Sequence, residues 1–138
     1  MVVRHLDGVQ VLHECSVVVI FSGPMRVLVC GDRGWTDTTM IYDVLNFLHP
    51  QVVIEGHARG ADSAAHRWAI ESRVTLVCRP AEWSRFGRAA GSLRNRRMLA
   101  DQPDLVIAFH DRIEFSKGTA DMLMLADKAN IHYTLLTH

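Results

Sequence analysis

The chain has 138 residues, of which 49% are hydrophobic and 22% are charged. This composition excludes an intrinsically disordered chain, and the length suits one compact domain. Fifteen basic residues balance fifteen acidic ones, so no overall field attracts a long polyanion or a membrane surface.

The first 24 residues lack the regular pattern of the rest. Their apolar stretch, residues 17–21, is too short to span a membrane, and no signal-peptide cleavage pattern follows it. We predict an N-terminal extension over residues 1–24 and one domain over residues 25–138. The extension is an extra hairpin over residues 9–21, a disordered segment, or sequence upstream of a start at Met25. The three cysteines without paired spacing and the missing export signal favour a cytoplasmic protein.

From Met25 onward, short apolar runs alternate with helical patterns. The runs predict strands over residues 26–30, 51–55, 74–79, 104–109 and 131–136. Each run is almost uniformly apolar, which is typical of strands that are buried on both faces. The alternation predicts an α/β fold with a mainly parallel five-stranded sheet flanked by helices.

The first two strand-to-helix junctions carry glycines and cations. Gly31, Asp32, Arg33 and Gly34 follow the first strand, with Thr36 placed to cap the next helix. Ligands of open α/β sheets bind outside the carboxyl ends of the strands, so these residues are candidates for a binding site.

The second junction, residues 55–62, is the most informative stretch. Gly56 and Gly60 permit positive φ and a close approach of ligand to backbone. Arg59 adds a cation at the start of a helix, where unpaired N–H groups favour anions. A glycine-bearing turn without a ligand is the alternative interpretation.

The third and fourth junctions repeat this chemistry. The segment from Arg79 to Arg97 contains six arginines and a single acid, Glu82, so it carries a net charge of +5. A local cationic patch suits a small anionic ligand, although a solvated arginine face is the alternative. Trp83 and Phe86 in this segment either stack on a base or pack on the sheet edge. The fourth junction contains Ser116, Lys117, Gly118 and Thr119 before a helix.

No metal site or cofactor is predicted. The eight histidines show neither an HExxH pattern nor paired spacing. His57 is interpreted as a surface residue or as a group that titrates against a ligand phosphate. Cys30 and Cys78 each end an apolar run and are expected to be core thiols.

The ordered motifs GDRGW, EGHARGAD, GSLRNRRM and SKGTADM resemble the YspA-type (cpYpsA-related) branch of the SLOG superfamily. This superfamily also contains the LOG phosphoribohydrolases and DNA-processing protein A. The resemblance covers residues 25–138 and implies a Rossmann-like, doubly wound domain. It further implies a nucleotide or nucleotide-derived ligand with its phosphate near the glycine loops, and a homo-oligomer.

The resemblance also implies roles for particular residues. Arg94 and Asp121 match an arginine and a glutamate that act on the N-glycosidic bond in LOG enzymes. The resemblance implies ligand or phosphate binding by Gly56, Gly60, Asp62, Gly118 and Thr119. The junction residues Gly31, Arg33, Gly34, Arg59, Asn95 and Lys117 complete the predicted binding set.

The chain departs from the LOG pattern at the fourth junction. The Pro-Gly-Gly of the LOG phosphate loop is missing, and Asp121 is one methylene shorter than glutamate. Asp111 and Glu114 precede the loop and repel phosphate unless they turn away. These differences favour binding over catalysis, so the expected function is to sense or sequester a nucleotide-derived small molecule. A LOG-like phosphoribohydrolase is the alternative. Single-stranded nucleic-acid binding is a second alternative, against which the neutral net charge argues.

Overall fold

The computed structural model describes residues 2–4 and 24–138, which form one sheet with helices on both faces. The strands are β1 (Val2–Arg4), β2 (Arg26–Gly31), β3 (Val52–Glu55), β4 (Thr75–Cys78), β5 (Leu105–Phe109) and β6 (His132–Thr137). The helices are α1 (Thr38–Leu48), α2 (Ala61–Glu71), the short α3 (Trp83–Phe86), α4 (Ala90–Ala100) and α5 (Gly118–Lys128). Short 3-10 turns occupy Gly87–Ala89 and Ile113–Phe115.

The sheet confirms the predicted Rossmann-like, doubly wound fold. Its strand order is β1-β6-β5-β2-β3-β4, and β2 to β6 run parallel to one another. From β2 the chain builds outward to β3 and β4 on one side, and then to β5 and β6 on the other. The direction of winding therefore changes between β2 and β5, where open α/β sheets bind ligands.

The sheet also contains a sixth strand that the sequence pattern did not predict. Strand β1 pairs antiparallel with β6, with Val2 opposite Thr137 and Arg4 opposite Leu135. The hairpin predicted over residues 9–21 lies outside the described residues. Among the described residues, the helices are all too short or too polar to cross a membrane.

Alternate side chains of each central strand enter two hydrophobic cores. On β2, Val27 and Val29 pack on the side of α1 and α2, whereas Leu28 and Cys30 pack on the side of α4 and α5. This alternation explains the uniformly apolar runs, because both faces of a parallel sheet are covered by helices. Each fully buried aliphatic side chain contributes roughly 1.5–3 kcal/mol to folding.

Asp37, not Thr36, caps α1. Its side chain accepts a hydrogen bond from the Met40 N–H at 3.0 Å. The prediction was one residue early because the buried Trp35 anchors the chain just before the helix, with its indole N–H donating to the Asp37 carbonyl at 3.0 Å. The helix therefore begins at Thr38, and the Asp37 carboxylate caps it by accepting from the N–H of its third residue, Met40.

Candidate functional site

A cleft of about 890 Å³ lies at the carboxyl ends of the strands, at the change of winding between β2 and β5. It contains nine of the thirteen residues that were predicted to act in catalysis or ligand binding, and these nine come from all four junctions. They are Gly31, Arg33, Asp62, Arg94, Asn95, Lys117, Gly118, Thr119 and Asp121.

The other four predicted residues lie beside the cleft. Gly60 has φ +74°, and a Cβ there would collide with the backbone of Asp32 and Arg33, so this glycine allows two loops to touch. A Cβ on Gly56 would collide with the Arg94 side chain, so this glycine leaves room for the guanidinium. The Gly34 N–H donates to the Asp32 carboxylate at 2.9 Å, so Asp32 caps its own turn. Arg59 is exposed and is not among the lining residues.

Arg94 and Asn95, in the middle of α4, connect three junctions through hydrogen bonds. Arg94 Nη1 donates to the Gly56 carbonyl at 2.6 Å, and its Nε donates to Asn95 Oδ1 at 3.1 Å. The Asn95 amide then donates to the Gly118 carbonyl at 3.1 Å and to Asp121 Oδ2 at 3.0 Å. Two donors of Arg94 are therefore engaged by the protein itself, and Asn95 sets the orientation of the Asp121 carboxylate.

Asp62, in the first turn of α2, is a buried carboxylate at the cleft wall. It is 4% exposed, and its Oδ2 accepts from the Gly56 N–H at 3.0 Å and the Ala58 N–H at 3.3 Å. Burial, followed by repulsion from Glu55, raises its pKa to about 6 despite these hydrogen bonds. A strongly perturbed carboxylate in a cleft is typical of a functional site.

The cleft is lined by four cationic side chains and by three carboxylates, those of Asp32, Asp62 and Asp121. The cations are Arg33, Arg88, Arg94 and Lys117. Asp111, by contrast, turns away and accepts from the His138 backbone N–H at 2.8 Å. Neither Asp111 nor Glu114 is among the lining residues. The fourth junction therefore keeps its lysine at the cleft and directs both acids elsewhere.

The arginine cluster divides into parts with different environments. Arg88 and Arg94 line the cleft. Arg79 instead forms a two-point salt bridge with Asp101, at 2.7 and 2.9 Å. Arg96 and Arg97 are exposed on α4, as the solvated-face alternative expected. Only part of the predicted cationic patch faces the candidate site.

Two exposed aromatic side chains line the cleft. Trp83 is 50% exposed, and the Arg33 guanidinium lies 5.6 Å from its ring centre. Phe115 is 80% exposed and was missed in the sequence analysis, where its position in an irregular loop gave no periodic signal. Phe86 does not line the cleft and lies against Arg85 instead. The cleft therefore offers flat surfaces on which a base can stack.

Cys30 also lines the cleft, where burial strongly raises the pKa of its thiol. It stays a protonated thiol near neutral pH and therefore lacks the thiolate needed for nucleophilic chemistry.

A second polar cluster lies next to this cleft, at the ends of β3 and β4. Glu55 is fully buried, and its Oε1 lies 2.9 Å from His66 Nδ1. The His57 backbone N–H donates to the other carboxylate oxygen. Cys78 is directly opposite Glu55 in the parallel register. The thiol is only half-buried, and its pKa is raised to about 12 by burial and by the Glu55 carboxylate.

Comparisons with known proteins agree with this architecture. A sequence model of the YspA, cpYpsA-related SLOG family matches residues 25–86, which include the first two junctions. The chain is also 40% identical over 116 residues to the Gene 61 protein of Mycobacterium phage D29. That alignment covers 77% of this chain and 91% of the phage protein. The chain therefore belongs to the YspA, cpYpsA-related SLOG family.

Proposed function

We propose that the protein binds a nucleotide or nucleotide-derived small molecule in the cleft and serves to sense or sequester it. One observation carries the proposal: a single cleft combines the first turn of α5 and its Lys117 with the exposed rings of Trp83 and Phe115. The helix start and the lysine suit a phosphate, and the two aromatic rings suit a base. The volume of about 890 Å³ falls in the usual range for small-molecule sites.

Within this proposal the two ends of the ligand have different partners. The phosphate lies near Lys117 and Gly118, where helix N–H groups and a cation favour negative charge. The base lies near Trp83, and Asp62 is a buried acceptor for a ribose hydroxyl between them. This hydrogen bond from the ribose hydroxyl would let the Asp62 carboxylate take part in ligand recognition.

Isothermal titration of the full chain against a panel of nucleotides tests the proposal. The panel includes mononucleotides, dinucleotides and cyclic ADP-ribose-type signals. We expect saturable binding by at least one member with one site per chain. If no member binds, the cleft is not a nucleotide site and the proposal is wrong.

The binding mode predicts different effects for two aromatic residues of one helix. Replacing Trp83 with leucine is expected to weaken the best ligand about tenfold, because one stacked base contributes about 1–3 kcal/mol. Replacing Phe86 with leucine is the matched control, since Phe86 also lies beside an arginine but outside the cleft. Equal affinities of both variants, measured by the same titration, would contradict stacking on Trp83.

A LOG-like hydrolytic activity is the second candidate, favoured by the Asn95 amide that orients Asp121. In this arrangement the carboxylate can stabilise positive charge on the sugar or activate water, and Arg94 can hold the phosphate. The Asn95 contact restrains only one carboxylate oxygen, so the other can point toward a substrate.

We expect any release of free base from a nucleoside monophosphate to depend on Asp121. Replacing Asp121 with asparagine should reduce the rate at least about 100-fold, the usual loss when a general acid or base is removed. Chromatography of the released base measures this rate. If the native chain releases no base, or if the variant is as active, the hydrolase candidate is excluded while nucleotide binding stands.

A further inference from the structure

Four potential metal ligands converge beside the cleft. Glu55, His57, His66 and Cys78 each place one ligand atom within 4.8 Å of the other three. The set comprises one carboxylate oxygen, two imidazole nitrogens and one thiol sulfur. Zn²⁺ prefers such mixed nitrogen, sulfur and oxygen ligands in tetrahedral geometry.

The distances suit a bound ion after a small contraction. Ligand atoms around tetrahedral Zn²⁺ are roughly 3.3–3.8 Å apart at normal bond lengths. The 2.9 Å contact between Glu55 Oε1 and His66 Nδ1 opens slightly in such a site, and the wider separations close by about 1 Å. His57 is exposed on a loop and can make that movement.

The burial of the Glu55 carboxyl group also favours a bound cation. Its side chain is fully buried, and within the described residues its ion-pair partner is His66, which is charged only when protonated. Buried carboxylates are normally paired with a cation or bound to a metal. Asp62 adds a second carboxylate near Glu55, and Arg94 is the cation that acts on Asp62. A divalent cation at the cluster would place positive charge directly on Glu55.

The strand pairing and α2 already hold three of the four ligands close together. Cys78 and Glu55 are neighbours on parallel strands, and His66 projects from α2 onto Glu55. The His57 N–H fixes the second carboxylate oxygen and leaves Oε1 for the metal. His57 itself has φ +59°, a left-handed conformation that costs energy for a non-glycine residue.

We propose that Glu55, His57, His66 and Cys78 form a structural Zn²⁺ site. Four protein ligands leave no open position for substrate, so the ion stabilises structure and performs no chemistry. Binding requires Cys78 to release its thiol proton to solvent as the sulfur–metal bond forms. The ion would fix the loop from Glu55 to Asp62 and hence one wall of the cleft. This site goes beyond the proposed nucleotide binding and does not depend on it.

Metal binding by the full chain tests the site directly. After removal of metals with a chelator, titration with Zn²⁺ alone is expected to show one tight equivalent and a rise in Tm. Titration with Co²⁺ alone should give a thiolate-to-metal charge-transfer absorption, and this absorption should be lost in the Cys78→Ser variant, which keeps Cys15 and Cys30. Absence of stoichiometric Zn²⁺ binding, or a Co²⁺ complex without that absorption, overturns the proposal.

Variants assign the ligands. Replacing His57 with asparagine keeps a residue that tolerates left-handed backbone, and Cys78→Ser is nearly isosteric. Each should weaken Zn²⁺ binding at least about tenfold. His49→Asn is the matched control, because His49 is also exposed and has φ +49°, but lies outside the cluster. If H57N and C78S bind Zn²⁺ as tightly as H49N, the ligand set is wrong.

Discussion

Replacing Gly60 with alanine is expected to lower the free energy of unfolding by about 3–5 kcal/mol. Gly60 has φ +74° and ψ −120°, a conformation that L-residues rarely adopt. A Cβ there would also overlap the Asp32 carbonyl oxygen and the Arg33 backbone, neither of which can rotate away. The loss is a large part of the 5–15 kcal/mol that stabilises an ordinary domain.

Two other glycines separate the contributions to this loss. Gly87 has φ +55° and ψ −130°, but a Cβ there meets no atom within 4 Å, so Gly87→Ala isolates backbone strain. Gly118 has open space and begins α5, so Gly118→Ala should be close to neutral. Urea unfolding of the three variants should rank G60A as least stable, then G87A, then G118A. Equal stability of G60A and G87A would show that the contact between the two loops is unimportant.

Replacing Asp62 with asparagine is expected to stabilise the protein at pH 8 by about 2–3 kcal/mol and to have no such effect near pH 4. The folded-state pKa of Asp62 is about 6, above the ordinary value of 3.8 for an aspartate carboxyl group. Between these values the folded state holds a proton that the unfolded state has released. The free energy of unfolding of the native protein therefore falls as pH rises from about 4 to 6. The full destabilisation by the Asp62 charge is present at higher pH. Asparagine removes the charge and keeps an oxygen for the Gly56 and Ala58 N–H groups.

Urea unfolding at several pH values, with EDTA present so that metal does not contribute, measures this difference. Asp43→Asn is the control, because it removes the same charge from an exposed position on α1 and should change stability by less than about 0.5 kcal/mol. A D62N variant that is no more stable than the native chain at pH 8 would show that the carboxylate is well solvated or compensated. A measured gain would show that the native carboxylate lowers the stability of the protein at pH 8.

Local sequence patterns predicted most of the fold. The five apolar runs gave the five parallel strands with small errors at their ends, because strands covered on both faces must be apolar throughout. The pairing of Val2–Arg4 with β6 was not predictable, since it joins residues more than 130 positions apart. Thr36 and Asp37 are both good caps, and only the packing of Trp35 decides between them.

The residues of the candidate site were predictable where they are consecutive in one strand-to-helix junction. Lys117, Gly118 and Thr119 line the cleft together because they begin one helix at the ligand-facing edge of the sheet. The cluster around Glu55 was not predictable by the same reasoning. Its members come from a strand end, a loop, a helix and the next strand. Their proximity depends on the register between β3 and β4, which no motif encodes.

The hydrogen bonds of Arg94 and Asn95 have a consequence for every measurement at the cleft. They run without a break from the Gly56 carbonyl to Gly118 and Asp121, so the second and fourth junctions are energetically coupled. Residues in one such network give non-additive effects, and a double-mutant cycle between Arg94 and Asp121 should show an interaction of about 0.5–3 kcal/mol. We therefore expect a ligand bound at the first turn of α5 to affect the loop after β3 as well.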